Sequence, residues 1–285
     1  MPIIETIPKL KPRATDAHKG TFGKVCIIAG SRGMSGAAAL AGRAALRAGT
    51  GLVRIATPKS VLPIVASIEP CFTTIALPED SLGRISAKAI NRILEAATQN
   101  DAVAFGPGVG ISGALRSILE AILEQEQLRL IIDADGLNNL ACIKNWPARV
   151  KAKLILTPHP GEMKRLWSGL FREQQPMDRQ EQATRLAQQT GSVVVLKGAG
   201  TVVTDGERVY VNTTGNPGMG TAGSGDVLTG VITALVGQRL SDFDAAVLGV
   251  YVHGLAGDIA AEKNGQVSLI ATDIAQALGD AFMRG

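Results

Sequence analysis

Short apolar runs alternate with longer amphipathic segments along most of this chain. The runs that predict strands end in Gly, Pro or Asp and lie at 24–30, 52–58, 72–78, 102–108, 128–135 and 153–161. Between them, apolar residues at helical spacing predict helices such as 35–49, 85–99 and 113–127. Apolar strands separated by helices are typical of a mostly parallel sheet covered by helices on both faces.

The pattern changes after Gly191. Three strand-like runs, SVVVLKG, TVVTDG and RVYVNT, are separated by tight turns, and Asp205-Gly206 suits a hairpin. They predict an antiparallel edge on the sheet. Two long helical patterns follow, from about 225 to 236 and from 244 to 262. Because no internal repeat or linker is visible, we predict a single domain over residues 1–285.

Composition excludes several classes of protein. The net charge of +4 comes without any run of Lys and Arg, so nucleic acid is not an expected partner. The three cysteines lie far apart and form no C-x-x-C, which argues against a disulfide framework or a zinc ribbon. Cys26 lies in an apolar run and is predicted to be a buried, inert thiol.

The N-terminus, MPIIETIPKLKPR, does not have the pattern of a signal peptide. No uninterrupted apolar stretch approaches the roughly 18 residues of a membrane span. We therefore expect a cytoplasmic protein without a membrane partner.

Turn chemistry is concentrated where the predicted strands end. In open α/β sheets, ligands bind beyond the carboxyl ends of the strands. Five strand ends carry such residues: GSRGMSG, GPGVG, DADGLN, TPHPGE and KGAGT. We expect these segments to line one shared cleft.

The stretch NPGMGTAGSGDVLTG (216–230) is the strongest candidate for chemistry. Gly220, Gly223 and Gly225 let the backbone approach a ligand, and the amides at the start of the following helix favour a phosphate. Asp226 then has two interpretations. It caps the helix, or it takes a proton from a substrate hydroxyl that accepts a phosphoryl group beside those amides.

The other candidates each have a structural alternative. Lys197 can meet a nucleotide phosphate or lie in an ordinary turn, and His159, held between two prolines, can contact a ligand or be structural. Asp133 and Asp135 can organise magnesium through water or cap the next turn. His18 and His253 receive no assignment, and the histidines are not spaced for a metal site.

Two common nucleotide motifs are not matched. Glycines at 30, 33 and 36 give G-x-x-G-x-x-G, and no acidic residue ends the second strand, so an NADP-preferring Rossmann dehydrogenase is poorly supported. G-x-x-x-x-G-K-[ST] does not occur, which argues against a P-loop enzyme.

Taken together, the motifs resemble a known family. AGSGD (222–226) is similar to the G-x-G-D signature of the ribokinase-like superfamily. From His18 to the C-terminal helices, the chain resembles the ADP-dependent NAD(P)H-hydrate dehydratase family through a series of motifs in the same order: HKGTFGKVCIIAGSRGMSGAA, GTGLVRIATP, FGPGVG, DADGLN, LTPHPGEMKRL, VVLKGAGTVV and NPGMGTAGSGDVLTG.

The resemblance implies a ribokinase-like three-layer sandwich and a repair reaction. Family members remove the water that has added to the C5–C6 double bond of NADH or NADPH, using ADP and leaving AMP and phosphate. Phosphorylation of the C6 hydroxyl followed by elimination is the implied route. ADP or ATP is then the phosphoryl donor, and Mg²⁺ is expected on its phosphates, with ligands that the sequence does not identify.

The resemblance also assigns residues. Asp226 is the base, and residues 222–225, including Gly223 and Gly225, hold the moving phosphoryl group. Three further positions should contact the hydrated dinucleotide: Ala37, Gly108 and His159. The adenine nucleotide should contact Gly225 and the segment Lys197, Gly198, Ala199, Gly200 and Thr201.

Only about 17 residues precede the matching region, so the epimerase activity found in many members is expected on a separate chain. The family also suggests a homotetramer. Two alternatives stay open: a ribokinase-like kinase of a vitamin precursor, and a nucleotide-binding regulator without catalysis.

Overall fold

The computed structural model describes residues 2–285. Within them, nine strands form one sheet in the order β3-β2-β1-β4-β5-β6-β7-β8-β9. The strands are β1 (Lys24–Ile28), β2 (Leu52–Pro58), β3 (Thr73–Leu77), β4 (Ala102–Phe105), β5 (Arg129–Ile132), β6 (Lys153–Leu156), β7 (Val193–Leu196), β8 (Val202–Thr204) and β9 (Val209–Val211). Strands β1 to β7 pair in parallel, and β8 and β9 add to β7 in antiparallel fashion. The predicted sheet with its antiparallel edge is confirmed.

The α-helices cover both faces of this sheet. They are α1 (Ser35–Arg47), α2 (Leu62–Ile68), α3 (Ile90–Thr98), α4 (Gly113–Leu123), α5 (Asp135–Leu140), α6 (Pro160–Leu170), α7 (Arg179–Thr190), α8 (Ser224–Gly237), α9 (Asp242–Asn264) and α10 (Ala271–Arg284). One core layer joins the sheet to α1, α8, α9 and α10, and the other joins it to α3 through α7. This is the three-layer arrangement that the resemblance implies.

Strand β1 shows why the sequence builds two cores. Its side chains alternate between the faces, so Val25 and Ile27 enter one layer and Cys26 and Ile28 enter the other. All four are completely buried. Burial raises the pKa of the Cys26 thiol to about 12, which confirms the prediction of a buried thiol and makes it a poor nucleophile.

Several boundaries differ from the prediction. The sequence predicts two helices after β9, whereas the structure has three. The additional helix is α10. The predicted strand 128–135 ends at Ile132, and the predicted strand 153–161 ends at Leu156, since α5 and α6 begin almost directly after them. In both cases the turn residues belong to the start of a helix, where strand-like sequence and helix capping are easily confused.

Helix α9 is the one described helix of membrane-spanning length whose mean hydropathy approaches that of a membrane span, although polar residues interrupt its apolar run. By length and composition it is apolar enough to cross a bilayer, but 72% of its most apolar window is buried inside the protein. Residues such as Val247 and Ala256 are completely buried in the core. Burial on most sides explains why this helix is apolar nearly all round.

The N-terminal segment lies along the outer edge of β9. Ile4 N donates to Val209 O at 2.7 Å, and Val209 N donates to Pro2 O at 3.1 Å. The free backbone groups of this edge strand are thus partly paired by the chain itself.

Candidate active site

The five segments with turn chemistry lie side by side at one edge of the sheet. They follow β1, β4, β5, β6 and β7, which are neighbours in the strand order. Backbone hydrogen bonds link adjacent segments: Gly30 N donates to Pro107 O at 2.8 Å, and Lys197 N donates to Pro158 O at 2.8 Å. The carboxyl ends of the strands therefore bring the predicted residues to one place.

Segment 222–226, here called the anion loop, leads into α8. Gly223 has φ of +88°, and a Cβ added there would lie 2.5 Å from Leu40 Cδ1, so the loop requires glycine at this point. No side chain caps α8. Among the described residues, the amides of Gly225 and Asp226 have no hydrogen-bond partner. These N–H groups remain available to an anion.

Asp226 is not the cap of α8. It is the third residue of the helix, Gly223 occupies the cap position, and the Asp226 carboxyl accepts no capping bond. Burial, together with the charge of Asp133, raises the pKa of Asp226 to about 7, while Lys197 acts in the opposite direction. The capping interpretation is therefore wrong. A carboxyl with this pKa is suited to exchange a proton near neutral pH.

Asp133 is buried beside the anion loop, where its Oδ2 would lie 3.9 Å from a Cβ added to Gly225. Only 1% of it is exposed. It accepts hydrogen bonds from Thr157 Oγ1 at 2.7 Å, Thr229 Oγ1 at 2.7 Å and Lys197 Nζ at 2.6 Å. These donors come from the ends of β6 and β7 and from α8. The carboxylate is fully engaged by the protein, so it does not cap the next turn.

Lys197 lies between carboxylates. Its Nζ is 2.6 Å from Asp133 Oδ1 and 3.9 Å from Glu162 Oε2, and 17% of the side chain is exposed. Burial opposes the charge, but Asp133 and Glu162 outweigh it and raise the pKa of the ammonium. Its predicted contact with a nucleotide phosphate stays a prediction. In the structure, this ammonium donates a hydrogen bond to the buried carboxylate of Asp133.

His159 is the N-cap of α6. Its Nδ1 accepts from Gly161 N at 2.9 Å, and Glu162 Oε2 accepts from His159 N at 2.8 Å, which completes a capping box. Burial and the charges of Lys197 and Arg165 lower the pKa of the imidazole. Nδ1 serves the helix, and Nε2 lies 3.3 Å from Glu162 Oε1, but half of the side chain is exposed, so part of the imidazole remains accessible to a ligand.

Ala37 and Gly108 come together as neighbours. Gly108 has φ of +63°, and a Cβ added there would lie 3.0 Å from Ala37 Cβ and 2.9 Å from Met34 Cβ. Ser31 Oγ donates to Gly108 O at 2.7 Å and fixes the two segments. Their predicted contact with a dinucleotide stays a prediction, but the close backbone approach requires a glycine here.

The segment from Lys197 to Thr201 is held by a residue that the sequence did not indicate. The Arg179 guanidinium donates to Leu196 O at 3.0 Å, Lys197 O at 3.1 Å and Ala199 O at 2.5 Å. Arginine presents several donors in a rigid fork, so one side chain fixes the turn. Arg179 lies at the start of α7, and no local motif marks it.

His253 supports the anion loop from α9. Its Nε2 lies 3.0 Å from Ser224 O, to which it donates. Burial lowers the pKa of His253 to about 4, so the imidazole is neutral at physiological pH. His18 lies elsewhere and caps a short 3₁₀ helix, where Nδ1 accepts from Gly20 N at 3.1 Å.

Asp135 joins two of the segments, because its Oδ2 accepts from Gly110 N at 2.9 Å. No group of three or more His, Cys, Asp and Glu side chains in residues 2–285 is placed to hold a metal ion.

A cavity of about 590 Å³ lies away from these segments, between the N-terminal segment and the ends of α1 and α10. It contains none of the predicted site residues. We place the site at the carboxyl ends of the strands because the unpaired amides, the raised pKa of Asp226 and the buried cation coincide there.

The sequence profile of the family described as Carb_kinase, NAD(P)H-hydrate dehydratase, matches residues 25–279. The chain belongs to the NAD(P)H-hydrate dehydratase family. Within this family, the chain is 39% identical to the ADP-dependent (S)-NAD(P)H-hydrate dehydratase of Neisseria meningitidis serogroup B, over 94% of this chain and 87% of that protein.

Another relative is longer. The bifunctional NAD(P)H-hydrate repair enzyme Nnr of Moorella thermoacetica is 44% identical over 93% of this chain and 50% of its own length. The chain thus spans about half the length of such bifunctional relatives.

A solved structure of the family agrees with this fold. The ADP/ATP-dependent NAD(P)H-hydrate dehydratase of Bacillus subtilis, co-crystallised with ATP and Mg²⁺, superposes with a TM-score of 0.82 at 29% identity, covering 97% of this chain and 94% of that one. The ribokinase-like architecture of this family member is therefore shown by its sequence and its structure.

Proposed function

We propose that this chain is an ADP-dependent hydro-lyase that dehydrates hydrated NADH and NADPH. The observation that carries the proposal is Asp226, a carboxyl with a pKa of about 7 beside the unpaired amides of the anion loop. A base and an anion site in contact are what phosphoryl transfer to a hydroxyl needs. Relatives named as dehydratases support the choice of substrate.

The first step transfers a phosphoryl group. Asp226 takes the proton of the C6 hydroxyl, whose oxygen forms a bond to the β-phosphorus of ADP. The bond between that phosphorus and the bridging oxygen breaks, and AMP leaves with the electron pair. The unpaired amides of Gly225 and Asp226 would stabilise the charge of the moving group.

The second step is an elimination. The ring nitrogen lone pair expels phosphate from C6, and loss of a proton from C5 forms the C5–C6 double bond. Phosphate leaves where hydroxide would leave poorly. The products are the reduced dinucleotide, AMP and phosphate.

Magnesium fits this site as a companion of the nucleotide. Asp133 is engaged by three protein donors, and no described cluster forms a metal cage. Mg²⁺ commonly keeps several waters and binds substrate phosphates with few protein ligands. When bound, it would neutralise phosphate charge.

We also propose a homotetramer, a cytoplasmic location and functional pairing with an epimerase that supplies the reactive epimer. The bifunctional relatives support the last point, since they are named as repair enzymes with two functions. Light scattering, cell fractionation and a coupled assay with a purified epimerase test the three proposals in turn.

The deciding experiment incubates the protein with Mg²⁺, ADP and hydrated NADH and follows the return of reduced-nicotinamide absorbance. We expect ADP-dependent recovery, AMP and phosphate in equal amounts, and none of these with AMP as the added nucleotide. Repetition with ATP and with hydrated NADPH defines the donor and the preferred substrate.

No recovery with ADP or ATP, from hydrate verified to contain the reactive epimer, contradicts the proposal. Accumulation of a phosphorylated vitamin-precursor alcohol would then favour the kinase alternative. Tight nucleotide binding without any turnover would favour a regulator.

A further inference from the structure

A buried ion pair connects the ends of three strands to the helix that carries Asp226. Asp133 follows β5, and its partner Lys197 follows β7. Two threonines complete the arrangement: Thr157 follows β6, and Thr229 lies on α8. A carboxylate held by three donors is fixed in position, so it can fix the cation that it binds.

The ammonium of Lys197 lies against the first turn of α8. A Cβ added to Gly225 would be 3.4 Å from Lys197 Nζ and 3.9 Å from Asp133 Oδ2. Asp226 follows in the chain, yet Lys197 donates its hydrogen bond to Asp133 and not to Asp226. A lysine is a flexible point charge, so something must keep it from pairing with the Asp226 carboxylate, to which it makes no ion pair within 4.0 Å.

We propose that Asp133 is a positioning residue that holds the Lys197 ammonium beside Asp226 and prevents these two side chains from forming a direct ion pair. The inference rests on the proposed function, because Asp226 is a base only in that reaction. A carboxylate paired directly with lysine would be a weaker base and less able to reach the hydroxyl. Held by Asp133, the same cation still faces the anion loop.

The charges around Asp226 support this role. Lys197 lowers its pKa, whereas Asp133 and Asp135 raise it, and burial raises it most. Glu162 lies 3.9 Å from Lys197 Nζ and acts on the charge of that ammonium. Removing Asp133 and removing Lys197 should therefore change Asp226 in opposite directions.

The test compares Asp133→Asn with Lys197→Met. In a plot of kcat against pH, the acid limb is the pH range over which activity rises as the base ionises. We expect the midpoint of this limb to fall by about one pH unit or more in Asp133→Asn and to rise by a similar amount in Lys197→Met. In Asp133→Asn, kcat above pH 8 should fall by about tenfold or more, because the base is weaker. Thr233→Val is the matched control: it removes a buried hydroxyl of α8 that donates to Thr229 O and not to Asp133 or Lys197, keeps every charge, and should leave the limb unmoved.

A second readout does not depend on turnover. In protein labelled with ¹³C at aspartate carboxyls, the Asp226 signal is assigned by its loss in Asp226→Asn and titrated by NMR. We expect its midpoint near 7 in the wild type, lower in Asp133→Asn and higher in Lys197→Met. A merely structural role would instead lower the melting temperature of all three variants and move neither the limb nor the midpoint.

Equal midpoints in all folded variants, or shifts of the same sign, would overturn the inference. If the wild type fails to dehydrate the hydrate while the midpoints move as expected, the proposed function fails and the positioning role stands. If Asp133→Asn does not fold, Thr229→Val takes its place, because it removes one of the hydroxyl donors that fix Asp133. It should move the midpoint of Asp226 down by a smaller amount, and no movement would overturn the inference.

Discussion

Helices α6 and α8 both begin at the carboxyl edge of the sheet, but their first turns are arranged differently. His159 and Glu162 close the start of α6 in a reciprocal capping box. The start of α8 has a glycine at the cap position, no side-chain cap and two unpaired amides. One helix satisfies its own donors and is stabilised by doing so. Helix α8 leaves its first amides free for a ligand. Without a bound ligand, this helix start is less stable than a capped one.

The comparison extends to the acidic residue in each first turn. Glu162 is 4% exposed, is used by the cap, and has a pKa that burial raises. Asp226 makes no capping bond and titrates near 7. Residues of similar chemistry at the same helical position thus differ: Glu162 takes part in the cap of α6, whereas Asp226 is left free of capping bonds in α8 and is the base in the proposed function.

The largest expected effect comes from Asp226→Asn. We expect turnover to fall at least about 10²-fold, because the base is lost, while nucleotide binding by calorimetry is retained. If this variant retained most of the wild-type activity, Asp226 could not be the base.

The same variant should be more stable than the wild type at alkaline pH. Folding raises the pKa of Asp226 from 3.8 to about 7, so its contribution to stability is present below pH 4 and is lost as pH rises through 7. At pH 8, Asp226→Asn should gain about 1 kcal/mol or more in free energy of unfolding. Denaturant titrations at pH 8 and pH 5 measure this, and a gain that did not shrink at pH 5 would contradict the linkage.

A smaller effect is expected from a methyl group at the start of α8. Gly225→Ala places its Cβ 3.4 Å from Lys197 Nζ, an ordinary contact, so the fold should be kept. The methyl occupies space beside the free amides, and we expect kcat to fall roughly tenfold with little change in melting temperature.

Gly223→Ala is the contrasting variant. Its Cβ meets Leu40 Cδ1 at 2.5 Å, and its φ is +88°, so it should lose stability as well as activity. Equal melting temperatures for the two variants would show that the loop is more adaptable than its geometry indicates.

The smallest effect should separate two roles of His159. His159→Ala removes both the cap and the imidazole, and it should cost about 1 kcal/mol of stability and raise KM for the hydrate about tenfold. His159→Asn retains a good capping residue, so it should recover the stability but not the KM. A change confined to the KM for ADP in both variants would contradict the predicted contact with the hydrated dinucleotide.

The sequence predicts the parts of this molecule that local pattern determines. Apolar runs identify the strands, and the glycine-rich stretch before Asp226 identifies the anion loop. The start of α6 was harder to predict, because TPHPGE continues an apolar strand and its capping box involves two side chains three residues apart. Helix α10 was missed although its apolar residues, such as Ile274 and Leu278, are fully buried.

Contacts between distant segments could not be predicted. Arg179 holds the segment from Lys197 to Thr201, and His253 holds the anion loop. The two contacts come from other helices and join residues 18 and 29 positions apart in the sequence. Neither lies in a recognisable motif. The pairing of Asp133 with Lys197 across 64 residues is of the same kind. Such contacts depend on strand order, which composition and periodicity do not encode.

The N-terminal segment on β9 has a consequence for association. An uncovered edge strand offers its backbone to any extended chain, including a second copy. Here Pro2 and Ile4 already bind both free groups of Val209, so the molecule ends its own sheet at that side. Loss of this short segment would leave Val209 unpaired as well and so lengthen the edge that is open to strand addition, without any change in the predicted site residues.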